Sequence, residues 1–310
     1  MLEYYKMKFP ELDKIEIEKA IDKIESSDLK TISIDSLEIY LKPLFSGYRF
    51  TAPFFDKGVY LYRGRIAEKP NNIKKLIYPP SECITNYGRI NEKGKSFFYG
   101  AVARSVPFFE LNTKVGDKIA LSTWRSNNKM HLNHIGFTEE CKKNINSNRD
   151  LSEIYNFVKD TSNFGNLNNF VHNYLSSKFI QVIEEGNEFK YKLTIAIARK
   201  LLMGNLLNGI LYPTIAMSAN ADNIVLKTDF FDNNIDFVSV EYIEIIEKNG
   251  LQYKINVLDS STKLNNKGDF SWSGRGLQWK IKENYGELKL QYKANTFEAY
   301  DKNGNRVDPE

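Results

Sequence analysis

Between Leu61 and Glu110 the chain sets down a short series of residues that together suit chemistry on an anion. Arg63 and Arg65 stand two apart in Leu61-Tyr62-Arg63-Gly64-Arg65, so on a strand both side chains leave the same face. Two guanidinium groups fixed side by side favour forked recognition of a phosphate or carboxylate; the plainer alternative is one exposed arginine and one paired with a surface carboxylate. Arg89 lies in Gly88-Arg89-Ile90-Asn91-Glu92-Lys93-Gly94, where Asn91 and Gly94 predict a tight turn. Its guanidinium and the nearby backbone N–H groups can converge on a phosphate, or the segment can simply be a hairpin turn. Glu110 closes the apolar run Val106-Pro107-Phe108-Phe109. In a partly apolar cleft such a carboxylate stabilises an oxocarbenium-like cation, as in glycosyl transfer; an exposed pair with Lys114 at i+4 is the bland reading. Tyr87 and Tyr99 offer flat faces to a nucleotide base, although either can equally be a core residue.

These residues need a scaffold, and the hydrophobic pattern supplies one. Ile17, Ala20, Ile21 and Ile24 fall on one helical face, and Ser36 to Leu44 predicts a second short helix. From Gly58 to Trp124 the texture is strand-like: Val59-Tyr60-Leu61-Tyr62, Ser96-Phe97-Phe98-Tyr99 and Lys118-Ile119-Ala120-Leu121-Ser122 are punctuated by Pro79-Pro80, Gly88 and Gly116-Asp117. Three amphipathic helices follow. Asp150 and Glu153 make a capping box before Leu151, Ile154, Tyr155 and Val158; Val171, Tyr174, Leu175 and Phe179 repeat the pattern, as do Leu193, Ile197 and Leu201. A second strand set holds Gly209-Ile210-Leu211-Tyr212-Pro213, Asn223-Ile224-Val225-Leu226 and the stretch from Phe237 to Ile246. Strands, then helices, then strands argue for α+β rather than alternating βα units. The last sixty or so residues read as hairpins, with turn signals at Asp259-Ser260-Ser261, Asn265-Asn266-Lys267-Gly268 and Lys302-Asn303-Gly304.

Composition excludes several classes. The 310 residues are 42% hydrophobic and 13% aromatic, enough for a substantial core. Forty-three Lys and Arg against 39 Asp and Glu leave a net +4 with the signs interspersed, so nucleic acid is not expected as a direct partner. The start, Met1-Leu2-Glu3-Tyr4-Tyr5-Lys6, lacks the pattern of a signal peptide, and no apolar run is long enough for a membrane helix; a cytoplasmic protein is the expectation. Cys83 and Cys141 are too few to staple a domain of this size. His131, His134 and His172 are the only histidines and lack further ligands at regular spacing, so no metal is expected. Leu277-Gln278-Trp279-Lys280-Ile281-Lys282 reads as a strand with a wet lysine face.

In combination, the pieces resemble the RES domain, a family named for an arginine, a glutamate and a serine. Leu61-Tyr62-Arg63 is similar to its opening strand, Tyr87-Gly88-Arg89-Ile90-Asn91-Glu92-Lys93-Gly94 to its glycine-arginine-x-asparagine turn, and Phe98-Tyr99-Gly100-Ala101 to the tyrosine-bearing strand after it. Val106-Pro107-Phe108-Phe109-Glu110 with Val115-Gly116-Asp117 resembles the glutamate helix. Tyr191-Lys192-Leu193-Thr194-Ile195-Ala196 and Asn208-Gly209-Ile210-Leu211-Tyr212-Pro213 resemble the closing helix and the strand that delivers the serine. The chain departs from the pattern there, with Thr214 after Pro213 and Ser218 four residues on. Either of Arg63 and Arg65 corresponds to the first arginine.

The resemblance implies an ADP-ribosyltransferase-like core of two facing sheets around an NAD cleft, spanning residues 58–246. A helical segment, 1–57, precedes it and a β-hairpin extension, 247–310, follows. It implies an enzyme that consumes NAD as substrate by hydrolysis, phosphorolysis or ADP-ribosyl transfer, acting as a bacterial toxin whose partner is a helix-turn-helix antitoxin. Arg89 with Arg63 or Arg65 is then expected on the pyrophosphate, Tyr99 on the nicotinamide side, and Glu110 at the ribose. Tyr87, Asn91 and Thr214 or Ser218 complete the binding set. The rival classes are a non-catalytic nucleotide- or anion-binding module whose C-terminal extension contacts a partner, and a nucleic-acid enzyme, against which the small net charge and the lack of clustered carboxylates for Mg²⁺ count.

Overall fold

The computed structural model describes residues 10–50, 52, 54–147, 164–250, 252–274, 277–278, 289–293, 296–300 and 306–307, the last four stretches as backbone. The helices are α1 (Lys14–Glu25), α2 (Ile34–Tyr40), α3 (Lys42–Phe45), α4 (Val106–Glu110), α5 (Glu139–Asn144), α6 (Asn166–Phe179), α7 (Tyr191–Leu201) and α8 (Thr228–Asn234). The strands begin with β1 (Phe54–Phe55), β2 (Tyr60–Ile66), β3 (Phe97–Ala101), β4 (Lys118–Ser126), β5 (Met130–His134), β6 (Gly209–Pro213) and β7 (Asp222–Lys227). They continue with β8 (Ile235–Asn249), β9 (Gln252–Ser261), β10 (Leu277–Gln278), β11 (Lys289–Lys293), β12 (Thr296–Tyr300) and β13 (Arg306–Val307). The fold is mixed α+β. No helix among the described residues is long and apolar enough to cross a membrane.

The chain forms two compact units, each assembled from three stretches: residues 1–62, 77–106 and 124–237 make the first, and residues 63–76, 107–123 and 238–310 the second. The sequence instead suggests three consecutive segments, divided after residues 57 and 246. In unit 1 the strand order is β1-β5-β6-β7-β3-β2, with β5 and β6 parallel and the other pairs antiparallel. Register ties the motif strands together: Tyr99 of β3 lies opposite Val225 of β7, and Val225 lies opposite Ile210 of β6. Residues directly opposite share a face. Tyr99, Val225 and Ile210 therefore point to the side where α1, α2, α6 and α7 bury Ile17, Leu37, Leu175 and Ile197 in one core. Phe98 points the other way, stacked on Phe231 of α8 at 4.2 Å and edge-on to Trp124.

Local chemistry explains the helix ends. Asp13 caps α1 by accepting the N–H of Glu16, and Ser33 caps α2 by accepting that of Ser36. The periodic faces of α1, α6 and α7 form as the sequence predicts, whereas the span from Ser36 to Leu44 breaks into α2 and α3 around Leu41, with Pro43 in the first turn of α3. The helix expected from Asp150 and the turn at Lys302-Asn303-Gly304 lie outside the described residues.

Unit 2 holds the end of β2 and the start of β4, followed by β8, β9 and β10, and a three-stranded sheet β11-β12-β13. One expectation is corrected here. Asp259-Ser260-Ser261 is not a turn but the end of β9, paired with Val240, Glu241 and Tyr242 of β8. Local polarity misleads because Asp259 is anchored tertiarily: it takes Lys69 Nζ at 2.5 Å and Ser273 Oγ at 2.8 Å. The turn at Asn265–Gly268 does form, closed by Gly268 N–H on Asn265 O.

Candidate functional site

In unit 1 the segment from Tyr87 to Gly94 folds into the expected turn. Gly88 N–H donates to Asn91 O at 2.9 Å, Gly94 N–H donates to Ile84 O, and Gly94 takes φ +73°. A Cβ on Gly88 would lie 2.4 Å from Asn91 Oδ1, so any other residue there must displace the Asn91 amide. Tyr99 bolts the turn to β3: its hydroxyl accepts the N–H of Ile90 at 3.0 Å and of Asn91 at 3.2 Å, and donates to Asn91 Oδ1 at 2.9 Å. Burial holds the Tyr99 hydroxyl well above its usual range, against the two N–H donors that pull it down. Those N–H groups therefore serve Tyr99 instead of facing an anion.

Arg89 is placed by carbonyls ninety residues away. Its Nη1 donates to Phe179 O at the end of α6 and its Nη2 to Gln181 O at 3.1 Å. Its guanidinium also lies over the rings of Tyr191 and Tyr212, at 5.5 and 5.8 Å. A cation at a helix C-terminus is well placed electrostatically, and the turn is thereby pinned to both α6 and α7. Tyr87 has Lys93 Nζ above its ring at 5.2 Å.

A second anchor escapes sequence reasoning. Arg199 of α7 bonds Asp35 Oδ1 at 2.8 Å and Glu38 Oε2 at 2.9 Å, both on α2, and also Glu92 of the turn. The spacing of Asp35 and Glu38 on one face of α2 is the available signal, but it does not name its partner. One arginine thus ties the N-terminal helices to the Tyr87–Gly94 turn.

At the end of β6, Thr214 is fully buried, its N–H on Ala221 O and its O taken by Ala219 N–H. Ser218 is exposed and left-handed (φ +49°), as is Ala219 (φ +60°). Of the two candidates, only Thr214 sits where packing fixes it.

Unit 2 contains Arg63, Arg65 and Glu110. Along β2, Arg63 is half-buried while Arg65 is exposed and donates to Lys75 O at 2.9 Å. Gly64 explains why glycine separates them: a Cβ there would lie 2.7 Å from Pro107 Cβ and 3.0 Å from Leu111 Cδ1, so the bare backbone admits α4. By alternation Arg63 and Arg65 leave the opposite face of β2 from the one that receives Pro107. Glu110 ends α4 and is exposed. Four residues on, Lys114 donates its backbone N–H to Asp117 Oδ2 at 2.7 Å.

No cluster of three His, Cys, Asp or Glu residues suited to a metal occurs among the described residues. Comparison of the chain with family models, with curated proteins and with solved structures finds no match.

Proposed function

We propose that the protein consumes NAD by breaking the bond between nicotinamide and ribose, as the toxin of a bacterial toxin–antitoxin or defence system, on an ADP-ribosyltransferase-like core. The observation that carries this reading is the Tyr99–Asn91 closure. Two motif pieces that resemble the RES signature, the glycine-arginine-x-asparagine turn and the tyrosine strand, meet in one hydrogen-bonded constellation. The strand leading to Thr214 is separated from them by a single strand of the same sheet.

In this reading Arg63 or Arg65 neutralises the pyrophosphate, while Arg89 and Tyr99 act through the Tyr87–Gly94 turn by fixing its shape. Glu110 orients the ribose hydroxyls and stabilises the oxocarbenium character at the anomeric carbon. The C–N bond breaks with its electron pair going to the pyridinium nitrogen, so nicotinamide leaves neutral and no strong general acid is required. Water, phosphate or a protein nucleophile then closes the new bond to the anomeric carbon. A helix-turn-helix antitoxin is the partner this reading implies.

Incubation of the purified protein with NAD, with and without phosphate, tests it by chromatography of the products. Free nicotinamide with ADP-ribose, with a phosphorylated ADP-ribose, or with ADP-ribosylated protein identifies the acceptor. NAD binding without release of nicotinamide overturns the enzymatic reading and leaves a binding module.

A further inference from the structure

We propose that unit 1 holds a separate binding groove for a small amphipathic anion, an aliphatic chain ending in a carboxylate. The groove encloses about 400 Å³, within the range of small-molecule sites. Its apolar floor is made by Ile90 of the turn, Phe97 at the start of β3, and Ile195, Ala198 and Leu202. The last three fall at i, i+3 and i+7, a single stripe along α7 and its C-cap.

Besides Arg199, the groove is lined by two lysines, Lys95 and Lys227. Phe97 lies directly opposite Lys227 across the β3–β7 ladder, so the lysine leaves the sheet beside the apolar floor. Lys227 Nζ donates to Gly204 O at 2.7 Å, and no carboxylate among the described residues lies within ion-pair distance of it. Asp229 is the acidic group whose field it feels, and burial still lowers its pKa. Lys95, exposed on the same groove, likewise has no carboxylate partner among the described residues. The rim carboxylate, Glu92, is occupied by Arg199, whose other partners are Asp35 and Glu38. An apolar floor beside two ammonium groups that have no direct carboxylate partner among the described residues is complementary to a negative head on a hydrocarbon body. This inference stands independently of the NAD reading.

Calorimetric titration of decanoate into the full-length protein tests it, with decan-1-ol and inorganic phosphate as probes of each half alone. Saturable decanoate binding is expected, weakened about tenfold or more in a Lys95→Met/Lys227→Met double variant, while neither decanol nor phosphate alone matches decanoate. Should the double variant fold poorly, Lys95→Met alone changes only an exposed side chain and is expected to weaken binding about threefold. No saturable binding, equal affinity in wild type and folded variants, or displacement of decanoate by NAD overturns the proposal of a separate anion groove.

Discussion

The hydroxyl of Tyr99 donates to the side-chain carbonyl of Asn91 while accepting the backbone N–H of the same residue, so one side chain sets both the backbone and the rotamer of its partner. With the further N–H of Ile90, three hydrogen bonds converge on one buried oxygen. Tyr99→Phe removes that oxygen and leaves two N–H groups unsatisfied. The expected cost is about 2–3 kcal/mol, read by chemical denaturation. A change below about half a kilocalorie per mole would show that the turn holds itself without Tyr99.

Gly64 is expected to tolerate no side chain. Gly64→Ala places a methyl group 2.7 Å from Pro107 Cβ, so β2 or α4 must shift. A loss of about 1–3 kcal/mol is predicted, together with reduced activity because α4 carries Glu110. Wild-type stability and activity would mean that α4 is free to move away from β2.

Acid sensitivity follows from two buried imidazoles in unit 1. Burial lowers the pKa of His134 to about 3 and of His172 to about 4, from the ordinary 6.5. His172 Nδ1 also shares a 2.6 Å hydrogen bond with the Tyr48 hydroxyl. Since the folded values lie below the unfolded one, the unfolded chain binds more protons at mildly acid pH. The contribution of each histidine is complete above about pH 6.5 and is lost as the pH falls toward the folded value, by roughly 2 kcal/mol at about pH 4.5. Melting temperatures measured from neutral to acid pH should fall less steeply in His172→Gln than in wild type. An identical slope in the two proteins contradicts this assignment.

The hydroxyl at the end of β6 can be tested without disturbing packing. Thr214→Val keeps the shape of a fully buried side chain, and Thr214→Ser keeps its hydroxyl. If Thr214 stands where the resembling family has serine, the first loses activity by tenfold or so while the second retains most of it. Ser218→Gly removes the other hydroxyl at a left-handed position that glycine accepts readily, and is expected to leave activity unchanged. The reverse pattern in a nicotinamide-release assay would assign the role to Ser218.

The elements that carry a period were legible in the sequence: α1, α6 and α7 bury the faces their spacing predicts, and β3, β6 and β7 fall on the apolar runs. Residues whose role is set by distant partners were not. Arg89 reads as a ligand for phosphate because its local setting is a turn, yet Phe179 and Gln181 occupy two of its donors. Asp259 reads as a turn signal because its neighbours are polar, yet Lys69, 190 residues upstream, makes it a strand residue. Nothing in the sequence around Gly64 shows that Pro107 packs against its bare backbone. Periodicity reports which face is buried; it does not report what a buried charge or a bare backbone meets there.

The central claim rests on Glu110, an exposed carboxylate at the end of α4. Its most direct test is the rate of nicotinamide release from NAD by wild type and by Glu110→Gln, with NAD binding measured alongside. The substitution keeps size and hydrogen bonding but removes the charge that favours a cationic transition state over the ground state. Release by the wild-type protein, a loss of a hundredfold or more in Glu110→Gln and nearly unchanged NAD affinity are the predicted results. Release at the wild-type rate by Glu110→Gln, or none by the wild-type protein, contradicts the account.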